Sequence, residues 1–228
     1  GNVYLSGRAP STSTGIASGG HQNTYGGGFS DAFLVKFNSA GNRLWATYYG
    51  GTVDDQGLSI TIDPSGNVYF AGRTSSTSGI ASGGYQNSMA GLEDAFLAKF
   101  NSAGTLQWAT YYGGPGTDYG RTVNTDASGN VYLGGEASSA STGIASGGFQ
   151  NATGGSTDAF LVKFNASGAL LWATYYGDTG FDAGYGIATD GSNNVYLAGN
   201  TRSTINIASG GHQNTYGGVP QDAFLVKF

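Results

Sequence analysis

Short runs of this chain alternate apolar and polar side chains, and the runs return at a fixed distance. Asp31 to Phe37 reads Asp-Ala-Phe-Leu-Val-Lys-Phe, which puts Asp, Phe, Val and Phe on one side of an extended backbone and Ala, Leu and Lys on the other. Period-two patterning rich in aromatic and β-branched residues predicts a strand, and two largely apolar faces predict cover on both sides. Asn38 to Asn42 predicts a hairpin turn, because Asn and Gly tolerate the left-handed backbone such turns need. Leu44 to Tyr49 is then a second strand, Gly50 to Asp55 a loop, and Leu58 to Ile62 a third strand, matched by Thr122 to Thr125 and Ile187 to Thr189. Asp63 to Asn67 turns the chain into a fourth strand, Val68 to Ala71. No stretch carries a helical period. The unit is four antiparallel strands.

The same wording recurs. Asp-Ala-Phe-Leu-Val-Lys-Phe opens at Asp31, Asp158 and Asp222, and at Asp94 with its Val changed to Ala. Asn-Val-Tyr opens at Asn2, Asn67, Asn130 and Asn194, and Trp-Ala-Thr-Tyr-Tyr-Gly at Trp45, Trp108 and Trp172. The unit is about 64 residues long, and a fixed long period marks a repeat architecture. A single sheet with two apolar faces cannot bury both alone. Stacking such sheets predicts an all-β, β-propeller-type array of four-stranded antiparallel blades. A parallel β-helix has shorter coils and does not explain the Asp-x-Ser-Gly-Asn hairpins at Asp63 and Asp126. The connection from Arg73 to Glu93 is longer than an ordinary loop. Ile-Ala-Ser-Gly-Gly nevertheless recurs at Ile16, Ile80, Ile144 and Ile207, so an ordered, self-packed loop is expected, its Ile filling an apolar gap.

Ile187 to Gly199 (Ile-Ala-Thr-Asp-Gly-Ser-Asn-Asn-Val-Tyr-Leu-Ala-Gly), with the Asp-Ala-Phe-Leu-Val-Lys-Phe strand and Trp-Ala-Thr-Tyr-Tyr-Gly-Gly, resembles the bacterial SBBP β-propeller repeat. The resemblance covers essentially the whole chain. It implies a secreted or cell-surface protein of the kind found in bacteria with type IX secretion. It further implies a scaffold or adhesive module without enzyme activity. It places the Ile187-type strand innermost and the Trp45-type strand outermost. On that assignment residues 1–51 form a partial blade, 52–114 and 115–178 complete blades, and 179–228 a second partial blade. Incomplete blades at both termini imply either an excerpt of a longer propeller or copies that complete one another, because open strand edges template pairing.

Composition removes several functional classes. Charged residues make up 10% of the chain, net charge is −5 and the pI is near 4.7, so no basic stripe exists to attract nucleic acid. The absence of cysteine excludes disulfides and thiolate chemistry. No apolar run is long enough to cross a bilayer as a helix. The chain opens inside a repeat, so any targeting segment is expected to have been removed or to lie outside these residues.

Three residue sets invite a chemical reading. Lys36, Lys99, Lys163 and Lys227 stand among Phe and Leu, and pairing with the Asp55, Asp118, Asp182 or Asp63, Asp126, Asp190 series is expected, because a buried charge is costly alone. The Asp63-type turns offer too few oxygens for calcium, so neither a metal nor any other cofactor is expected. After each Gly-Gly the long loop presents a ring and two amides: His21, Gln22, Asn23; Tyr85, Gln86, Asn87; Phe149, Gln150, Asn151; and His212, Gln213, Asn214. Rings that stack on sugars beside amides that bond hydroxyls suit a multivalent glycan-binding lectin, whereas the bland alternative packs the ring and caps the loop. No hydrolase or phosphate-binding motif appears, and Glu93 and Glu136, the two glutamates, do not recur. A glycoside hydrolase with converging Asp residues is the distant alternative, with no residue assigned as catalytic.

Overall fold

The computed structural model describes residues 1–138, 140–218 and 220–228. Strands β1 (Val3–Pro10), β2 (Ser30–Phe37) and β3 (Arg43–Tyr49) form one sheet in that order. A second sheet holds β4 (Asp55–Ile62), β5 (Val68–Thr74), β6 (Asp94–Phe100) and β7 (Leu106–Tyr112). The third holds β8 (Asp118–Thr125), β9 (Val131–Ser138), β10 (Thr157–Phe164) and β11 (Leu170–Tyr176). The last comprises β12 (Asp182–Thr189), β13 (Val195–Thr201) and β14 (Asp222–Lys227). Neighbouring strands within each sheet are antiparallel and consecutive in sequence. Among the described residues there is no helix.

The sheets stack face to face in an open row, and each junction is a separate apolar core. Leu34, Trp45 and Tyr49 of the first sheet meet Phe70, Phe96 and Phe100 of the second. Trp108 and Tyr112 then meet Leu133, Phe160 and Phe164, and Tyr176 meets Leu197 and Phe224. β8 packs on β4 and β5 before it and on β12 after it, so the first strands of the units line one border. The Trp strands and long loops form the opposite border.

Two local features differ from the reading of the sequence. The β4-type strand starts at Asp55, Asp118 and Asp182 rather than near Leu58. A register shift follows its glycine, between Gly57 and Ser59, Gly120 and Thr122, and Gly184 and Gly186. The bulge breaks the alternation that marks a strand. The long loop also does more than pack on itself. Ser18 exchanges both backbone hydrogen bonds with Ala46 of β3 at 2.9 Å, and Ser82 with Ala109 and Ser146 with Ala173 do the same. The loop thereby covers the outer edge of its own sheet, where open N–H and C=O groups would otherwise recruit another chain. The loop isoleucines enter the junctions, Ile80 and Ile144 being buried.

The indole, lysine and Tyr49-type hydrogen bonds between sheets run in one direction. Trp45 Nε1 and Lys36 Nζ both donate to the Ser102 carbonyl, at 3.2 and 2.7 Å, and Trp108 Nε1 and Lys99 Nζ both donate to the Ala166 carbonyl, at 3.1 and 2.8 Å. The Tyr49, Tyr112 and Tyr176 hydroxyls donate to the carbonyls of Ile80, Ile144 and Ile207 in the following unit. The expected Lys–Asp pairing is thus corrected. Among the described residues only Lys163 faces an aspartate, Asp126 at 3.5 Å. All four ammonium groups lie over a tyrosine ring, Tyr4, Tyr69, Tyr132 or Tyr196, at 5.0–5.5 Å. A carbonyl and an aromatic face replace the carboxylate because the Lys stem runs along the sheet towards the next turn.

That turn requires glycine for two reasons. Gly104 has φ +83°, and a Cβ there would lie 2.8 Å from the Trp45 ring. Gly41 has φ +80° but open space around it. Gly104→Ala is therefore expected to cost about 2–3 kcal/mol in urea unfolding, and Gly41→Ala about 1 kcal/mol. Equal losses would mean that the Trp45 contact adds nothing.

Candidate functional site

The loop residues singled out for ligand binding sit on the outer border, and their amides are largely occupied by the loop itself. Gln86 Nε2 donates to the Ser88 carbonyl and to Asp94 Oδ2, at 3.0 and 2.9 Å, while its Oε1 accepts from Gly113 N at 3.2 Å. Gln22 and Gln150 make the equivalent three bonds. Gln213 Nε2 donates to the Thr215 carbonyl. Asn23, Asn87 and Asn214 close a turn onto the carbonyls of Gly20, Gly84 and Gly211; Asn151 is exposed. The rings lean on aromatic residues of the core. His21 lies near Tyr49 and Phe100, Tyr85 near Phe164, and Phe149 near Tyr176. Tyr85 is 52% and Phe149 73% exposed, so each still offers a ring surface to solvent. His212 is exposed beside the last sheet.

Beneath these loops lie acid pairs that were not legible as pairs in the sequence. Asp31 and Asp55, Asp94 and Asp118, and Asp158 and Asp182 are each fully buried. The members of a pair flank one glycine. A Cβ at Gly50 would lie 2.6 Å from Asp55 Oδ2 and 3.0 Å from Asp31 Oδ1, and Gly113 and Gly177 have matching surroundings. Backbone N–H groups of Gly26, Ala90 and Gly154 donate to the first Asp of each pair. Gly51, Gly114 and Asp178 N–H groups, with the Ser76, Ser141 and Ser203 hydroxyls, donate to the second. Among the described residues, Oδ1 of Asp31, Asp118, Asp158 and Asp182 has no hydrogen-bond partner. Among the described residues no basic side chain pairs with any of the six. Burial pushes Asp31 and Asp94 upward, Asp55 and Asp158 up to about 6, and Asp118 up to about 7, against the hydrogen bonds that favour their charged forms.

A third site gathers residues that break the repeat. Gln56, Leu58, Arg73, Tyr119 and Arg121 line a cleft of about 230 Å³ between the second and third sheets. Arg73 bonds Glu93 at 2.6 Å and Arg121 bonds Glu136 at 2.5 Å. Tyr119 stacks under both guanidinium groups, at 4.8 and 5.2 Å, and donates its hydroxyl to Glu93 at 2.7 Å. Both glutamates of the chain are thus spent on this cluster. The arginines are consequently half-neutralised, which suits a small polar group better than a strong anion. The signal in the sequence was incomplete recurrence: Glu93 and Arg121 stand where other copies carry different residues, and Arg73, matched by Arg8, becomes Glu136 and Asn200 in the later copies. A search for residues common to every copy passes over them.

Curated relatives align with most of this chain but are much longer. The uncharacterized WD repeat-containing protein L264 of Acanthamoeba polyphaga mimivirus is 26% identical over 176 residues, 71% of this chain and 13% of that protein. The regulatory protein FlaEY of Caulobacter vibrioides is 28% identical over 171 residues, 72% of this chain and 18% of its own length. The family model of the SBBP β-propeller repeat matches residues 44–79, 107–141 and 171–205. Each match runs from a Trp strand through the following β4-type and β5-type strands, so the three matches fall on the three sheet-to-sheet crossings. The chain thus carries three segments that match the SBBP β-propeller repeat.

Proposed function

We propose that this chain is a non-enzymatic, secreted or cell-surface scaffold whose first and last sheets join further sheets of the same repeat, from a second copy or a longer propeller. A contrast between equivalent positions carries the reading. Val3 and Leu5 are 58% and 52% exposed, whereas Val68, Phe70, Val131 and Leu133 are all at 0%. At the other end Leu225 is 73% exposed, while Leu34, Leu97 and Leu161 are at 0%. Inside the array the Val68 and Phe70 side of one sheet packs on the Leu34 side of the sheet before it. The two ends therefore carry opposite halves of one kind of interface. Such a head-to-tail contact either closes into a ring or propagates.

Sedimentation velocity over a concentration series tests this. Larger species are expected to grow with concentration and to be lost in Leu5→Glu, because a charge would enter the apolar junction. A strictly monomeric particle at every concentration would remove the second-copy form of the reading. The glycan-binding alternative rests on the exposed Tyr85 and Phe149 rings, since the amides beside them already hold the loop. Crystals soaked in a glycan panel would support it by showing contact at either ring, and would remove it by showing none.

A further inference from the structure

β4, β8 and β12 each carry one residue more than the strand they pair with. Asp and Gly recur around it, as Asp55 and Gly57, Asp118 and Gly120, and Asp182 and Gly184. The residue after each glycine falls in the register shift and stands opposite no neighbour: Leu58, Arg121 and Tyr185. A bulge of this kind re-aims a side chain, and bulges gather next to active sites. All three side chains reach solvent, Leu58 at 39%, Tyr185 at 47% and Arg121 at 28%. One re-aimed position therefore presents an aliphatic, a cationic and an aromatic group in successive sheets.

Arg121 and Leu58 also wall the cleft of Gln56, Arg73 and Tyr119, and every wall lies in the two middle sheets. The Arg121 guanidinium sits between the Tyr119 and Tyr185 rings, 5.2 Å from each. Stacking fixes the plane of this fork, so a ligand has little left to order. Arg121 spends Nη2 on Glu136 and makes no other hydrogen bond among the described residues, which leaves Nη1 open. Gln56, with Oε1 turned to the guanidiniums, accepts from Arg8 Nη1 at 3.1 Å and Arg73 Nη2 at 2.9 Å. Its Nε2 is then a second open donor. The Tyr119 hydroxyl accepts from Arg73 Nη1 at 3.2 Å and donates to Glu93, so no wall side chain offers a free acceptor. The unpartnered oxygen of Glu136 is buried outside the walls. Within this bonded group the guanidiniums of Arg8, Arg73 and Arg121 face the carboxylates of Glu93 and Glu136, which leaves one positive charge.

We infer that this cleft binds a small monocarboxylate with an apolar body, its head on Arg121 and Gln56 and its body against Leu58. A carboxylate only accepts, whereas hydroxyls and amides bring donors that these walls leave unpaired. Its single charge matches the surplus, and a phosphate dianion exceeds it. The volume of about 230 Å³ is below the roughly 300–1,000 Å³ of sites for drug-sized molecules, so the body is short. The apolar end faces contribute nothing to this site.

The test titrates the whole chain with phenylacetate, followed by saturation-transfer NMR of the ligand. Saturable binding is expected at about millimolar concentration, as suits a ligand of this size. Phenylacetamide, the uncharged twin, is expected to bind at least about tenfold more weakly, because it loses the charge-assisted bonds. Leu58→Glu puts a like charge beside the carboxylate and removes no hydrogen bond of the cluster, so it should weaken phenylacetate at least about tenfold. Arg121→Gln should abolish binding but also strands Glu136, so Leu58→Glu decides, with circular dichroism verifying its fold. No saturable phenylacetate binding, equal binding of phenylacetamide, or unchanged affinity in Leu58→Glu would each overturn the inference.

Discussion

Trp108→Ala is expected to lower folding stability by about 3–5 kcal/mol in denaturant titrations. The ring is only 6% exposed and lies in the core between the second and third sheets. It meets Tyr69 edge-on at 6.1 Å, and its Nε1 donates to the Ala166 carbonyl. The Gly168 turn closes over it, so close that a Cβ there would lie 2.9 Å from the ring. Rigid β-strands on both sides prevent collapse into the resulting cavity, which places the cost near the upper end for a buried aromatic ring. Trp108→Phe refills most of the volume and loses only the N–H donor, so about 1–2 kcal/mol is expected there. A loss below about 1 kcal/mol for the alanine variant would place the ring in solvent.

Folding stability is also expected to fall as pH rises from about 4 to about 7 and to level off above that. In an unfolded chain an Asp titrates near 3.9. Burial holds Asp55 and Asp158 up to about 6 and Asp118 up to about 7 in the fold. Between the two values the folded state binds more protons than the unfolded one, so raising the pH favours unfolding. The stabilising contribution of each proton is complete below about pH 4 and is lost as pH passes through the folded value. Each of these three carboxyls is worth on the order of 3 kcal/mol across that window, and packing relaxation reduces their sum. Asp190, by contrast, is held down at about 2 by its hydrogen bond from Asn194, so it begins to oppose acid conditions below about pH 4. Thermal melts at pH 4.5 and pH 8 check the sign: the midpoint should be higher in acid. Asp118→Asn should flatten the dependence by removing one contribution. A higher midpoint at pH 8 would show that these carboxylates stay charged in the fold.

Much of the fold was open to reading because the repeat states it several times. Alternation at Asp31–Phe37 and the Asn38 and Asp63 turns define strands without help from tertiary structure. The start of β4 was hidden because the bulge after Gly57 interrupts alternation at the point where the strand begins. The edge pairing of Ser18 with Ala46 was hidden because Gly-rich backbone carries no side-chain pattern that marks a strand. The lysine partners were misread for a related reason. Their acceptor is the carbonyl of Ser102 or Ala166, and a carbonyl has no signature in a sequence. Asp31 and Asp55 could not be read as a pair, because the loop and turn geometry that brings both to Gly50 exists only in the folded sheet. The Gln-Asn loops were recognised as special, but their hydrogen bonds to Asp94 and Asp158 belong to the fold's own wiring.

The one-way bonding between sheets has a consequence for how such proteins change in length. The Trp45-type indole, the Lys36 and Lys99 ammonium and the Tyr49-type phenol donors come from the preceding unit, and the receiving unit contributes main-chain oxygens that every amino acid possesses. A newly duplicated segment can therefore be accepted by its neighbour before any matching substitution has arisen. Selection then acts on the glycine turn and the apolar face, while the Arg73 and Arg121 positions are free to diverge from copy to copy.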